Sequence, residues 1–130
     1  MSQFGVQLHA RSKTKISGNG KKKIKFRGKR RREVGNYFSA TKLSEKGVVV
    51  GVRRRGGNIG VRLKHVAMAN LLTKSGYKSV KITGIVESKD NRNFARQSII
   101  TKGTVISTDL GNAVVINRPG REGCVNAKLI

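Results

Sequence analysis

Nine of the twelve residues from Lys21 to Arg32 are lysine or arginine. A block with that density of like charge cannot collapse on itself in water, so this part of the chain is expected to be disordered when free. The imbalance extends to the whole chain. Among 130 residues, 29 are Lys or Arg and 6 are Asp or Glu, a formal net charge of +23. Self-repulsion on that scale opposes the compact state of a free protein. A polyanion relieves it and gains the entropy of released counterions. Nucleic acid is therefore the leading partner, and an anionic membrane is the rival.

The membrane reading finds little support. No apolar run approaches the ~18 residues of a spanning helix. No basic amphipathic helix is evident. The N-terminus shows no apolar secretory core, no myristoylation pattern follows Met1, and no prenylation box closes the sequence. No membrane is expected among the partners. The single cysteine, Cys124, cannot form an internal disulfide and fits a reducing compartment, which makes the cytoplasm the expected location.

The chain divides in two by composition. Residues 1–33 carry 12 Lys or Arg and one acid, Glu33. Ile24, Phe26 and Gly28 are interleaved with the cations Lys21, Lys22, Lys23, Lys25, Arg27, Lys29, Arg30, Arg31 and Arg32. Apolar and flexible residues between charges suit an arm that threads between RNA helices and orders on binding. The arm is placed at residues 1–35 and a folded domain at 36–130.

The folded part is rich in β-branched residues: 21 of the 24 Val and Ile lie from Val34 onward. Such side chains favour strands, and glycines at short intervals supply turns. The pattern predicts an all-β domain, a small antiparallel barrel of about six strands. These are placed at Val48–Arg54, Ile59–His65, Val80–Glu87, Ile99–Thr108 with a bend at Gly103, Asn112–Asn117 and Cys124–Ile130. Leu110-Gly111-Asn112 reads as a tight connection, and Arg118-Pro119-Gly120-Arg121 as a type II turn. Ala67–Leu72 fits a helical turn or a strand continuation. The alternation leaves Arg62, Lys64 and Lys81 on the polar sides of their strands.

Catalytic chemistry is hard to find. His9 and His65 stand far apart, and His65 falls on the apolar phase of a strand as a core residue with its hydrogen bonds satisfied. Cys124 reads as a small buried hydrophobe. One Cys and two His without ligand spacing make no structural zinc site. No pair of carboxylates suits acid–base work. Gly56-Gly57-Asn58-Ile59-Gly60 lacks the spacing of a nucleotide-phosphate loop. No enzyme activity, cofactor, metal or small-molecule substrate is expected. The run Arg53-Arg54-Arg55-Gly56-Gly57-Asn58 has a different use. Guanidinium groups beside glycines allow both backbone and cations to approach a phosphate chain. With no recognition helix and few aromatics, the chain suits phosphate geometry more than base edges.

Several stretches also resemble the archaeal and eukaryotic small-subunit ribosomal protein S8e family. They are Lys29-Arg30-Arg31-Arg32-Glu33-Val34-Gly35, Ala40-Thr41-Lys42-Leu43, Arg55-Gly56-Gly57-Asn58, Val80-Lys81-Ile82, Ile99-Ile100-Thr101-Lys102-Gly103, and Arg118-Pro119-Gly120-Arg121-Glu122-Gly123-Cys124-Val125-Asn126-Ala127. Each is weak alone, but their order over residues 29–130 is specific. The resemblance implies a barrel-like domain with a basic arm and no catalysis. It implies a structural role in the small subunit, with small-subunit ribosomal RNA and neighbouring ribosomal proteins as partners. The short length resembles archaeal members. Carried onto this sequence, the RNA-binding candidates in the body are Arg53, Arg54, Arg55, Gly56, Gly57, Asn58, Lys102, Arg118 and Arg121. A ribosome-assembly factor and a general nucleic-acid-binding protein are the alternatives.

Overall fold

Alternation of branched apolar with polar residues carries the described part of the chain into nine strands. The structure is a computed structural model that describes residues 35–130, and Ser39–Ile130 form one compact unit. In chain order the strands are β1 (Thr41–Leu43), β2 (Val48–Arg53), β3 (Ile59–Val66), β4 (Met68–Thr73), β5 (Gly76–Glu87), β6 (Ile99–Ile100), β7 (Val105–Thr108), β8 (Gly111–Val115) and β9 (Asn126–Leu129). Two short helices interrupt them, α1 (Arg92–Arg96) and α2 (Pro119–Glu122).

The all-β expectation holds, with a closed barrel at its centre. Strands β4, β5, β7, β8 and β9 follow one another around it. Four of the pairings are antiparallel, and the barrel closes through a parallel one between β4 and β9, with Asn70 opposite Asn126 and Leu72 opposite Lys128. The other strands form a four-stranded sheet in the order β2-β3-β1-β6. Its β1–β3 pairing is also parallel.

One apolar core serves both sheets. It gathers Ala69, Leu71, Val80, Ile82, Ile106, Ala113, Val115 and Ala127 from the barrel, with Leu63, Val66 and Ile100 from the sheet. Each fully buried Leu, Ile or Val removes enough apolar surface from water to contribute about 1.5–3 kcal/mol. The small residues Ala69, Ala113 and Ala127 let five strands close tightly. Thr41 is fully buried in β1, and its Oγ1 donates to the carbonyl oxygen of Leu63 at 2.8 Å, so the hydroxyl is not stranded.

Both hairpins of the barrel use one device. Thr73 and Thr108 end their strands, and each Oγ1 donates to the carbonyl oxygen three residues on, Gly76 and Gly111, at 2.6 Å. Gly76 and Gly111 have φ of +114° and +122°, a conformation closed to most L-residues. The tight connection expected near Gly111 is therefore present, with Asp109 and Leu110 at its tip.

The departures from the sequence reading have physical causes. The run Ile99–Thr108 is two strands in different sheets. Gly103, at φ +82°, turns the chain, while the Thr101 amide and hydroxyl both bond to Oγ1 of Thr104. Of the two options open for Ala67–Leu72, the structure takes the strand: β4 spans Met68–Thr73, and its Ala69 and Leu71 enter the barrel. Strand β1 and helix α1 were not anticipated. The helix starts where Oδ1 of Asn91 accepts from the Asn93 amide at 2.9 Å, which caps an orphan donor. Finally, Arg118–Arg121 is not a type II turn. Pro119 opens α2 at a position that needs no N–H, and the positive φ falls on Gly123 (+79°), beyond the helix end.

Candidate nucleic-acid interface

The first cluster of candidate residues lies at the tip of the β2–β3 hairpin. Arg53 ends β2 opposite Ile59, and the chain between them makes a single 3-10 turn over Arg55–Gly57. Gly56 and Gly57 have φ of +73° and +79°. Nothing crowds either glycine, so their need is conformational and not spatial. The loop is closed by the Arg54 amide donating to the carbonyl of Asn58 at 2.7 Å. Arg53, Arg54, Gly56, Gly57 and Asn58 are all exposed.

Arg54 has a fixed neighbour. Its guanidinium lies over the α carbon of Gly60, in the space that a β carbon there would fill. Glycine at 60 therefore provides a seat that holds one cation of the tip against the hairpin. Sequence reasoning named Arg54 but not Gly60; the signal was a glycine inside an otherwise alternating strand.

The second cluster is built on α2 and the Thr101–Thr104 turn. Arg118 precedes the helix, Arg121 lies on it, and Lys102 sits exposed at the turn. Lys102 and Arg118 lie near Glu122. Its Oε2 accepts from Nδ2 of Asn117 at 3.0 Å, and its Oε1 accepts from the Arg118 amide at 3.2 Å. The Asn117 hydrogen bond, the Arg118 amide and the positive charges of Lys102 and Arg118 hold this carboxyl below the ordinary carboxylate range. Asn117 also donates to the carbonyl of Cys124 at 2.9 Å and accepts from the Asn126 amide at 3.0 Å. One amide side chain thus ties the loop before α2 to the segment after it. Neither Asn117 nor Glu122 was singled out from the sequence as a residue that positions the cations.

The two clusters adjoin. Gly123, at the end of α2, faces Val61 and Val49 of the hairpin, where an added β carbon would meet Val61 at 3.4 Å. Val61 is two residues along β3 from Ile59, or about 7 Å. From Lys46 to Val86 the chain contains no Asp or Glu. The hairpin is therefore uncompensated within its own segment, whereas the cations of α2 share one carboxylate.

Other sequence candidates fall elsewhere. Lys64 and Lys81 are exposed on their strands, and Arg62 is half-buried. The arm residues Lys21, Lys22, Lys23, Lys25, Arg27, Lys29, Arg30, Arg31 and Arg32 lie outside the described residues. Exposed Arg92 and Arg96, one helical turn apart on α1, were missed because α1 itself was missed. His65 is half-buried, and its Nδ1 has no hydrogen-bond partner among the described residues, so the expectation of a satisfied core histidine is corrected. Cys124 is half-buried, not fully enclosed, because it lies in the loop before β9 and faces Asn117. No group of His, Cys, Asp or Glu among the described residues is arranged to hold a metal ion. No helix among them is long and apolar enough to cross a membrane.

Comparison with known proteins decides the family. The family model described as ribosomal protein S8e matches residues 9–130. The chain belongs to the ribosomal protein S8e family. S8e is a family of ribosomal structural proteins, not of enzymes. Among the relatives, the small ribosomal subunit protein eS8 of Ignicoccus hospitalis is 44% identical over 94% of this chain and 95% of its own length. That of Sulfurisphaera tokodaii is 42% identical over 89% of this chain and 91% of its own. That of Hyperthermus butylicus is 43% identical over 85% and 83%. These relatives are archaeal, as the resemblance implied. The S8e match spans both cation clusters and most of the basic N-terminal segment.

Proposed function

We propose that this S8e protein is a structural constituent of the small ribosomal subunit that binds and stabilises ribosomal RNA through its phosphate backbone. The observation that carries the reading is the hairpin tip. Arginines beside two left-handed glycines form an exposed loop in a segment without carboxylates. Arg can bridge phosphate oxygens with two parallel hydrogen bonds, and the glycines let the backbone come close. The adjoining α2 cluster extends the cationic surface, with Lys102, Arg118 and Arg121 as its contacts. Residues 1–35 act as an RNA-binding arm, and 36–130 as the folded domain. Neighbouring ribosomal proteins are its other partners, and the cytoplasmic ribosome is its location.

The test is binding of the full chain to small-subunit ribosomal RNA across a salt series. Each neutralised phosphate contributes about −0.7 to −0.9 to the slope of log K against log[salt], so a steep line is expected. A flat line would remove the electrostatic account. Gradient sedimentation of a lysate separates roles: a structural protein rides on mature small subunits, an assembly factor only on immature particles, and a general nucleic-acid binder on neither.

A further inference from the structure

The outer wall of the barrel around β4, β5 and β9 carries an exposed aromatic that the phosphate reading leaves unexplained. Tyr77 stands second in β5, at 73% exposure, and pairs directly with Leu72 of β4, which pairs in turn with Lys128 of β9. These three residues form one row on the outside of the barrel, because the alternate residues Leu71 and Ala127 face inward. The next row along the same wall is Ser79, Asn70 and Asn126, also matched across the three strands. There Nδ2 of Asn70 donates to Oδ1 of Asn126 at 3.2 Å, which leaves the Asn126 amide N–H groups outside that bond.

This wall has the ingredients of a base site in the order a base needs them. A planar ring for stacking sits beside an apolar side chain, amides and a hydroxyl lie one row away, and lysines edge the patch. Lys74 in the hairpin turn and Lys128 are both exposed. Strands β4 and β9 contain no carboxylate, and β5 has only Glu87 at its far end. A large apolar partner would gain nothing from that charge, and a bare phosphate would have no use for the ring. An unpaired nucleobase with its flanking phosphates uses both.

We propose that Tyr77 is a stacking platform for an unpaired base of RNA, with Leu72 beneath its edge and Lys128 and Lys74 holding the flanking phosphates. The site rests on the RNA-binding reading but adds contact to a base where that reading has only backbone. It lies on the barrel wall, whereas the phosphate clusters sit on the β2–β3 hairpin and α2.

The chain contains no Trp and two Tyr, Tyr37 and Tyr77. A full-length Tyr37→Phe variant therefore has Tyr77 as its one tyrosine, and its emission reports on this site alone. The probes are poly(A), poly(U) and inorganic polyphosphate, which carries charge without bases. Poly(A) and poly(U) should quench Tyr77 emission, and polyphosphate should bind without quenching it. Tyr77→Leu should weaken poly(A) binding about 5- to 150-fold, the range that loss of one stacked base implies, while Tyr77→Phe stays within about threefold of the parent. Quenching by polyphosphate equal to that by poly(A) would overturn the proposal, as would equal affinity of the Leu and Phe variants. Failure of polyphosphate to bind at all would instead count against the phosphate reading and leave the quenching result to decide Tyr77 separately.

Discussion

The closed barrel and the β2–β3 hairpin are built from similar residues and put them to opposite uses. In the barrel, Val80, Ile82, Ile106 and Val115 point inward, Ile106 at 0% exposure. On the hairpin, Val48, Val49, Val61 and Ile59 remain exposed, Ile59 at 78%. A β-branched residue therefore marks a strand without saying whether that strand is core. What separates the regions is closure. Barrel strands have neighbours on both sides, whereas β2 is the edge of its sheet and leads into a loop of arginine and glycine. The barrel, with Leu63 and Val66 at the inner end of β3, supplies the core, and the outer end of the hairpin offers surface.

The largest effect expected from this contrast is on stability. Ile106→Ala should cost about 2–5 kcal/mol in urea unfolding, whereas Ile59→Ala should stay within about 0.5 kcal/mol. Equal losses would mean that the outer end of the hairpin is packed as tightly as the core, and the contrast would fail. Next comes RNA affinity. Replacing Arg53, Arg54 and Arg55 together by Ala should lower the salt slope for ribosomal RNA by about 2–3 and leave the urea midpoint nearly unchanged. An unchanged slope would take the tip out of the interface.

Smaller effects test how each region is held. Gly57→Ala places a β carbon at φ +79° and should cost about 1–2 kcal/mol, although nothing crowds the site. No measurable cost in thermal unfolding would show that the loop adopts other conformations freely. The smallest expected effect is at Glu122. Its carboxyl is held below its ordinary range in the folded protein, so its contribution is present above the unfolded value and is lost as pH falls through the folded one. Amide shifts of Asn117 and Arg118, followed by NMR through an acid titration, should move together with that loss. Glu122→Gln should abolish the coupled movement; if it persists in the variant, another group is responsible.

The sequence made much of this legible. Strands β3, β5, β8 and β9 are close to where the sequence placed them, because each has one face in the core and one in water; β2 was marked by its run of valines. Strand β1 was invisible: three residues with a buried threonine carry no period, and only the Leu63 carbonyl explains Thr41. The split at Gly103 was half-visible, since a glycine marks a bend but not a change of sheet. The candidate site was legible as charge and glycine, at Arg53–Asn58 and at Arg118 and Arg121. Its organisation was not. Gly60 as a seat for Arg54, and Asn117 with Glu122 as the frame of α2, depend on contacts between residues 5 to 9 apart that no local pattern announces.

The parallel seam between β4 and β9 also bears on how the chain reaches this state. Asn70 and Asn126 must find each other across 56 positions of chain, after every other barrel strand has taken its place. Closing so long a loop is slow, and its entropy cost comes before the seam rewards it. During synthesis the barrel cannot shut until β9 has left the ribosome, whereas the β2–β3 hairpin needs only local pairing and can form well before. The nascent protein thus has its arginine tip ready while its core is still open, so contact with RNA has time to precede completion of the fold.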